Sequence, residues 1–108
     1  MNIPVDRFKK AVSNIIANAV QYTEAGKRVS IYAEDHNIII ENECEVVSRE
    51  EITRLFEPFY RPEYSRDKES GGNGLGLYVV ETTFKSMNIS YSFEPMPDNS
   101  GMIFTIYL

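Results

Sequence analysis

With 108 residues, a hydrophobic share of 43% and a charged share of 25%, the chain has the size and balance of one ordinary globular domain, able to hold a core without disulfides. Its net charge of −5 excludes nucleic acid as the main partner, because phosphate-backbone binders need an excess of clustered Lys and Arg. One cysteine, Cys44, and one histidine, His36, supply neither a disulfide framework nor a zinc set, so a reducing cytoplasmic setting is expected; no apolar run nears the ~18 residues of a membrane span, and no secretory or transit pattern opens the chain.

Residues 5–23 are predicted to form an amphipathic helix, since Phe8, Val12, Ile15, Ala19 and Tyr22 recur at helical steps. Asp6 is its expected N-cap. The opposite face carries Asn14, Asn18 and Gln21, a polar stripe without charge. Asparagine is a mediocre helix former, and two readings stand: a solvated face, or carboxamide oxygens gathered as neutral hard ligands for Mg²⁺.

Gly26 ends this helix. Arg28 to Ala33 alternate as a half-buried strand with Val29, Ile31 and Ala33 inward. Asp35-His36-Asn37 turns the chain, and Ile38 to Ile40 return as the buried second strand of an antiparallel hairpin. His36, in that turn, is expected to be exposed and structural. Glu41, Glu43 and Glu45 around Asn42 read as a solvated strand end rather than an acid–base pair or a metal site. Asn42 stands at the exit of a central strand, where ligands collect in open α/β sheets. Cys44 has no neighbouring base or cation in sequence and is not read as a nucleophile.

Ser48 and Glu51 make a capping box for a short helix whose inner face is Ile52, Leu55 and Phe56, and Pro58 stops it. The aromatic run Phe56-Glu57-Pro58-Phe59-Tyr60-Arg61 then roots a charged stretch, residues 61–70, that has no apolar period and includes Arg61, Arg66 and Lys68. A long charged loop ending in glycines beside a helix start has the composition of a lid.

Ser70-Gly71-Gly72-Asn73-Gly74-Leu75-Gly76-Leu77 closes that loop with four glycines in six positions, and Leu77, Val80, Phe84 and Met87 continue at helical spacing. A hinge, a tight turn and a set of bare amides aimed at phosphates would each use glycine. The immediate helix start favours the last, because a helix N-terminus attracts anions. Leu77 and Tyr78 follow the final glycine where a P-loop needs Lys and Ser or Thr, and no strand precedes the glycines as a dinucleotide fingerprint requires. Ile89 to Phe93 and Met102 to Leu108 are the last two strands, joined through Asp98-Asn99-Ser100-Gly101. The order is α, β, β, α, lid, α, β, β, without internal repeats.

Three of these stretches together, Asn14 to Tyr22 as an asparagine box, Leu55 to Arg61 as a phenylalanine box and Gly72 to Leu77 as a glycine box, resemble the ATP-binding catalytic domain of sensor histidine kinases over essentially the whole chain. The wording of the lid, Tyr64 to Gly72, further resembles the kinases of vancomycin-resistance systems. The resemblance implies an α+β two-layer sandwich over residues 1–108. Its mixed, largely antiparallel sheet is covered on one face by about three helices and carries a long ATP lid, the Bergerat fold. It also implies ATP and Mg²⁺ as cofactors, and transfer of the γ-phosphoryl group to a histidine on a separate dimerisation domain, with a response regulator receiver domain downstream. The implied setting is the cytoplasmic part of a membrane-anchored sensor, with no membrane contact by this domain itself.

Laid onto matching positions, the family pattern gives Asn18 as the Mg²⁺ ligand, Asn14 as its ordering neighbour and Tyr22 as packing beside the nucleotide. Asn42, Val47 and Phe59 join the nucleotide-binding set. Amides at Gly74, Leu75 and Gly76 meet the phosphates, with Arg61 and Lys68 closing over them, and Gly72 and Leu77 complete the ATP-binding set. Two departures stand out. Asn42, Cys44 and Val46 occupy the places of an adenine-binding aspartate and two glycines, and Gln21 replaces a phosphate-facing lysine. A neutral acceptor at residue 42 would bind more weakly than a carboxylate, by about 1 kcal/mol. The departures leave a second reading, a protein-interaction module that has kept the fold and lost productive ATP binding, and a third, a serine kinase or ATPase on the same fold. The family also opens with a strand before the first helix and carries its phosphoacceptor histidine elsewhere; His36 does not match it. Without that strand, an unpaired sheet edge would favour association.

Overall fold

The computed structural model describes residues 5–23, 25–58 and 76–108. Its elements are α1 (Val5–Tyr22), β1 (Val29–Glu34), β2 (Asn37–Glu43), α2 (Arg49–Leu55), α3 (Gly76–Ser86), β3 (Ser90–Pro95) and β4 (Gly101–Tyr107). The strands form a four-stranded sheet in the order β1-β2-β4-β3, and each neighbouring pair is antiparallel. The result is an α+β sandwich with three helices packed against that sheet.

Local chemistry accounts for where the elements start and stop. Asp6 lies inside the first turn of α1 rather than capping it, a position where a carboxylate is still favoured by the helix dipole. Gly26, at φ 81°, supplies the left-handed residue after α1. Asp35 and His36, at φ 51° and 69°, give the β1–β2 hairpin the two successive positive φ values of a type I′ turn, and His36 is exposed there. Ser48 accepts the Glu51 backbone N–H at 3.1 Å, so α2 begins with the expected cap. Asn88, at φ 56°, closes α3 in a Schellman motif. Ile89 donates its N–H to the Phe84 carbonyl at 2.9 Å, and Asn88 donates to that of Lys85 at 3.3 Å.

The core lies between helices and sheet. Ala11, Ile15 and Ala19 of α1 and Leu77, Val80 and Phe84 of α3 meet Ile40, Phe104 and Ile106 of the central strands, all of them buried. Aromatic rings extend the core under α2. Phe56 stacks on Tyr91 at 5.6 Å, Tyr91 stacks on Phe104 at 5.5 Å, and Phe84 sits 5.9 Å from Tyr91. Among the described residues of the aromatic run, Phe56 is the one anchored in the core; Phe59 lies outside the described residues.

Two expectations are corrected. The face of β1 carrying Val29, Ile31 and Ala33 is not evenly half-buried: Val29 is partly covered, but Ile31 is 51% exposed and Ala33 is exposed. The reason is placement. β1 is an edge of the described sheet, while α1 packs over β2 and α2 and α3 pack over β3. Strand β2 also runs on to Glu43, because β4 pairs with it as far as Gly101 opposite Glu43. Asn42 thus sits within a central strand, not beyond its end, and Glu41 and Glu43 project together on the face away from the helices. There Glu41 accepts from the Tyr32 hydroxyl at 2.8 Å and Glu43 from the Arg28 backbone N–H at 2.9 Å. Both carboxylates are satisfied locally.

Candidate functional site

The polar stripe of α1 and the start of α3 are brought together by how the two helices pack. Arg7 donates to the Ser86 hydroxyl at 3.3 Å, and the rings of Phe8 and Phe84 lie 6.0 Å apart. The beginning of α1 therefore lies beside the end of α3, and the buried residues of both continue along their lengths. Eight residues separate Phe84 from Gly76, which is about 12 Å of helix at 1.5 Å per residue. The same distance along α1 from Phe8 reaches Ile16. The N-terminal end of α3 is accordingly level with the turn of α1 that runs from Asn14 to Asn18.

Asn14 and Asn18 are half-buried, and neither side chain has a hydrogen-bonding partner among the described residues. Leu77 is 4% exposed and committed to the core, so what it can offer a ligand is its backbone amide. A Cβ built on Gly76 meets no atom within 4 Å. Packing in the described protein does not demand glycine there, whereas an anion drawn close to the first amides of α3 would.

The third component is Asn42. Strand alternation puts its side chain on the helix-facing side of β2, along with Ile40, and the residue is 5% exposed. Its neighbours across the sheet are Val29 on β1 and Met102 on β4, both apolar, and its carboxamide has no partner among the described residues. A buried amide left unpaired costs about 1–3 kcal/mol, so a group of this kind marks a place where a ligand's hydrogen-bonding edge would fit. Asn42 and α1 reach the same end of the fold, since only residues 23–28 separate Tyr22 from Val29, the partner of Asn42. Tyr22 is half-buried and packed against the core. Val47 is likewise half-buried and donates its backbone N–H to the sulfur of Met102 at 3.5 Å.

Phe59, Arg61, Lys68, Gly72, Gly74 and Leu75 lie outside the described residues. Sequence reasoning missed Gly101, which it assigned to a turn. A Cβ at Gly101 would run into the backbone carbonyl of Asn42, so this glycine permits the close strand approach that positions Asn42. An isolated glycine opening a strand was the available signal.

The described candidates are all uncharged side chains or backbone groups. The arrangement offers carboxamide oxygens, backbone amides at a helix start and a buried hydrogen-bonding edge, which suits holding and orienting an anion and its counter-ion rather than acid–base chemistry. Carboxamide oxygens fit a Mg²⁺ that keeps most of its own waters. The displaced pKa values belong elsewhere: Tyr91 is raised by burial and then by Glu81, Tyr32 by its hydrogen bond to Glu41, and Asp98 is lowered by hydrogen bonds from Ser100. No helix among the described residues is long and apolar enough to cross a membrane.

Comparison with known proteins places the chain in a family. Residues 4–108 match the family described as histidine kinase-, DNA gyrase B- and HSP90-like ATPase. The chain is 37% identical over 99 residues to the sensor histidine protein kinase HK06 of Streptococcus pneumoniae, covering 92% of this chain and 22% of that protein. It is 36% identical over 105 residues to the sensor protein VanSB of Enterococcus faecalis, covering 94% of this chain and 23% of that one. The chain thus spans less than a quarter of the length of these relatives. Among solved structures, the catalytic domain of the histidine kinase ThkA superposes with a TM-score of 0.77 at 21% identity, over 96% of this chain and 66% of that one, a likeness of fold.

Proposed function

Because this chain belongs to the histidine kinase-, DNA gyrase B- and HSP90-like ATPases, we propose that it is the ATP-binding module of a two-component sensor kinase. It holds Mg-ATP so that the γ-phosphoryl group passes to a histidine carried by a separate dimerisation domain, from which a response regulator receiver domain is served. On this reading the module works in the cytoplasmic part of a membrane-anchored sensor.

The observation that carries the proposal is a set of neutral groups without partners among the described residues: Asn14 and Asn18 beside the first amides of α3, and Asn42 in the sheet beneath the helix layer. In this assignment Asn18 is the Mg²⁺ ligand and Asn14, one turn earlier, orders the same site. The metal supplies charge neutralisation between phosphates. The amides of Gly76 and Leu77, continuing those of Gly72, Gly74 and Leu75, donate to phosphate oxygens. Tyr22 and Val47 pack beside the nucleotide with Phe59, and Arg61 and Lys68 contribute positive charge over the phosphates. Phosphoryl transfer asks little covalent chemistry of the protein, and positioning with electrostatic stabilisation is what such neutral groups supply.

The test is calorimetric titration of the chain with a non-hydrolysable ATP analogue, with and without Mg²⁺, on the parent and on Asn18→Ala. Binding that needs both Mg²⁺ and Asn18 is expected. Absence of heat and of any thermal shift at millimolar nucleotide, in protein shown to be folded, would instead favour an interaction module that has kept the fold without the nucleotide.

A further inference from the structure

We infer that Asn42 makes the base-binding end of this site accept 6-oxopurine nucleoside triphosphates about as readily as 6-aminopurine ones. The inference rests on the nucleotide-binding reading above and concerns which base that site takes.

The argument begins from the environment of the side chain. Asn42 is 5% exposed on the helix-facing side of a central strand. Its cross-strand neighbours, Val29 and Met102, carry no side-chain donor that could hold the carboxamide in one orientation. Among the described residues no hydrogen bond fixes which way the oxygen and nitrogen point. A carboxamide presents an acceptor and two donors, and a half-turn of its terminal torsion exchanges them.

That exchange matches the two kinds of purine edge. Toward a 6-aminopurine, the oxygen accepts from the exocyclic amino group while the nitrogen donates to ring N1. Toward a 6-oxopurine, the nitrogen donates to the exocyclic oxygen while the carboxamide oxygen accepts from the N1–H. Both arrangements make two hydrogen bonds and pair both carboxamide heavy atoms with the two atoms of the purine edge. A carboxylate at the same point has acceptors only. Aimed at position 6, it satisfies an amino group but sets oxygen against oxygen at a 6-oxo group, and discrimination arises when a buried polar group is left unpaired or opposed. Asn42 removes that opposition.

The experiment compares Mg-ATP with Mg-inosine triphosphate, which differs from it only at position 6 and in the N1 proton, by calorimetric titration of the parent chain and of Asn42→Asp. The parent is expected to bind the two within about threefold of each other, and Asn42→Asp to favour ATP by about tenfold or more. A parent that binds ATP at least about tenfold more tightly than inosine triphosphate overturns this inference while leaving the nucleotide-binding reading intact. Binding of neither nucleotide by the folded parent overturns both. The parent ratio decides the matter by itself, so an Asn42→Asp chain that fails to fold does not remove the test.

Discussion

The backbone carbonyl of Asn42 occupies the space that a side chain on Gly101 would need. The two strands that carry these residues, β2 and β4, form the centre of the sheet, so the contact couples the stability of the fold to the placement of a buried amide at the candidate site. Gly101→Ala must push the strands apart at this point, and overpacking of this kind costs about 1–3 kcal/mol. Urea denaturation should show that loss, with weakened nucleotide binding alongside it. A variant as stable as the parent would mean that the strands separate there at little cost.

Gly76 makes the opposite prediction. No described atom lies within 4 Å of a Cβ at this residue, and alanine is a better helix former than glycine by up to about 1 kcal/mol. Gly76→Ala should therefore leave the thermal midpoint unchanged or slightly raised while weakening Mg-ATP binding. Unchanged affinity in the titration would remove Gly76 from the phosphate-binding set.

Phe84 joins the two layers. It is fully buried, and its ring lies 6.0 Å from that of Phe8 and 5.9 Å from that of Tyr91. Phe84→Ala is expected to destabilise the fold by about 3–5 kcal/mol, a large part of the total stability of a domain of this size. Equilibrium unfolding by denaturant measures it directly.

Ser48 tests a local element. Its hydroxyl accepts the Glu51 N–H at 3.1 Å, and removing an N-cap of this kind costs about 1 kcal/mol. Ser48→Ala should lower stability by that amount and Ser48→Asp should restore it, as read from denaturant midpoints.

Tyr91 sets an alkaline limit. Burial, and after it the carboxylate of Glu81, raise its phenol above the ordinary value of 10.0. With the folded-state value raised, the unfolded chain releases this proton first. The contribution of Tyr91 is therefore whole below the unfolded value and is lost as pH rises through the folded one. Stability of the parent should fall more steeply above about pH 10 than that of Tyr91→Phe, and Glu81→Gln should soften the fall less than Tyr91→Phe does. Parallel stability curves for parent and Tyr91→Phe would count against this account.

Much of the molecule was legible in the chain itself because its determinants are local. Helical spacing from Phe8 to Tyr22, the Gly26 helix end, the turn at Asp35 and His36, and the Ser48 cap each act within a few residues, and the structure reproduces the elements they predict. The asparagine stripe of α1 also stood out in the chain, since asparagine is a mediocre choice for a helix interior. What tertiary structure decided was which faces are covered and which groups meet. Nothing within β1 announces that Ile31 is left half exposed; that follows from α1 lying over the neighbouring strand. No local pattern tells Asn42 that Val29 and Met102 flank it and that its carboxamide finds no partner among the described residues, or that Gly101 must be bare to let the strands close. Those properties depend on the register of a hairpin against β4, a strand far away in sequence, and only packing the helices on the assembled sheet brings the candidate groups together.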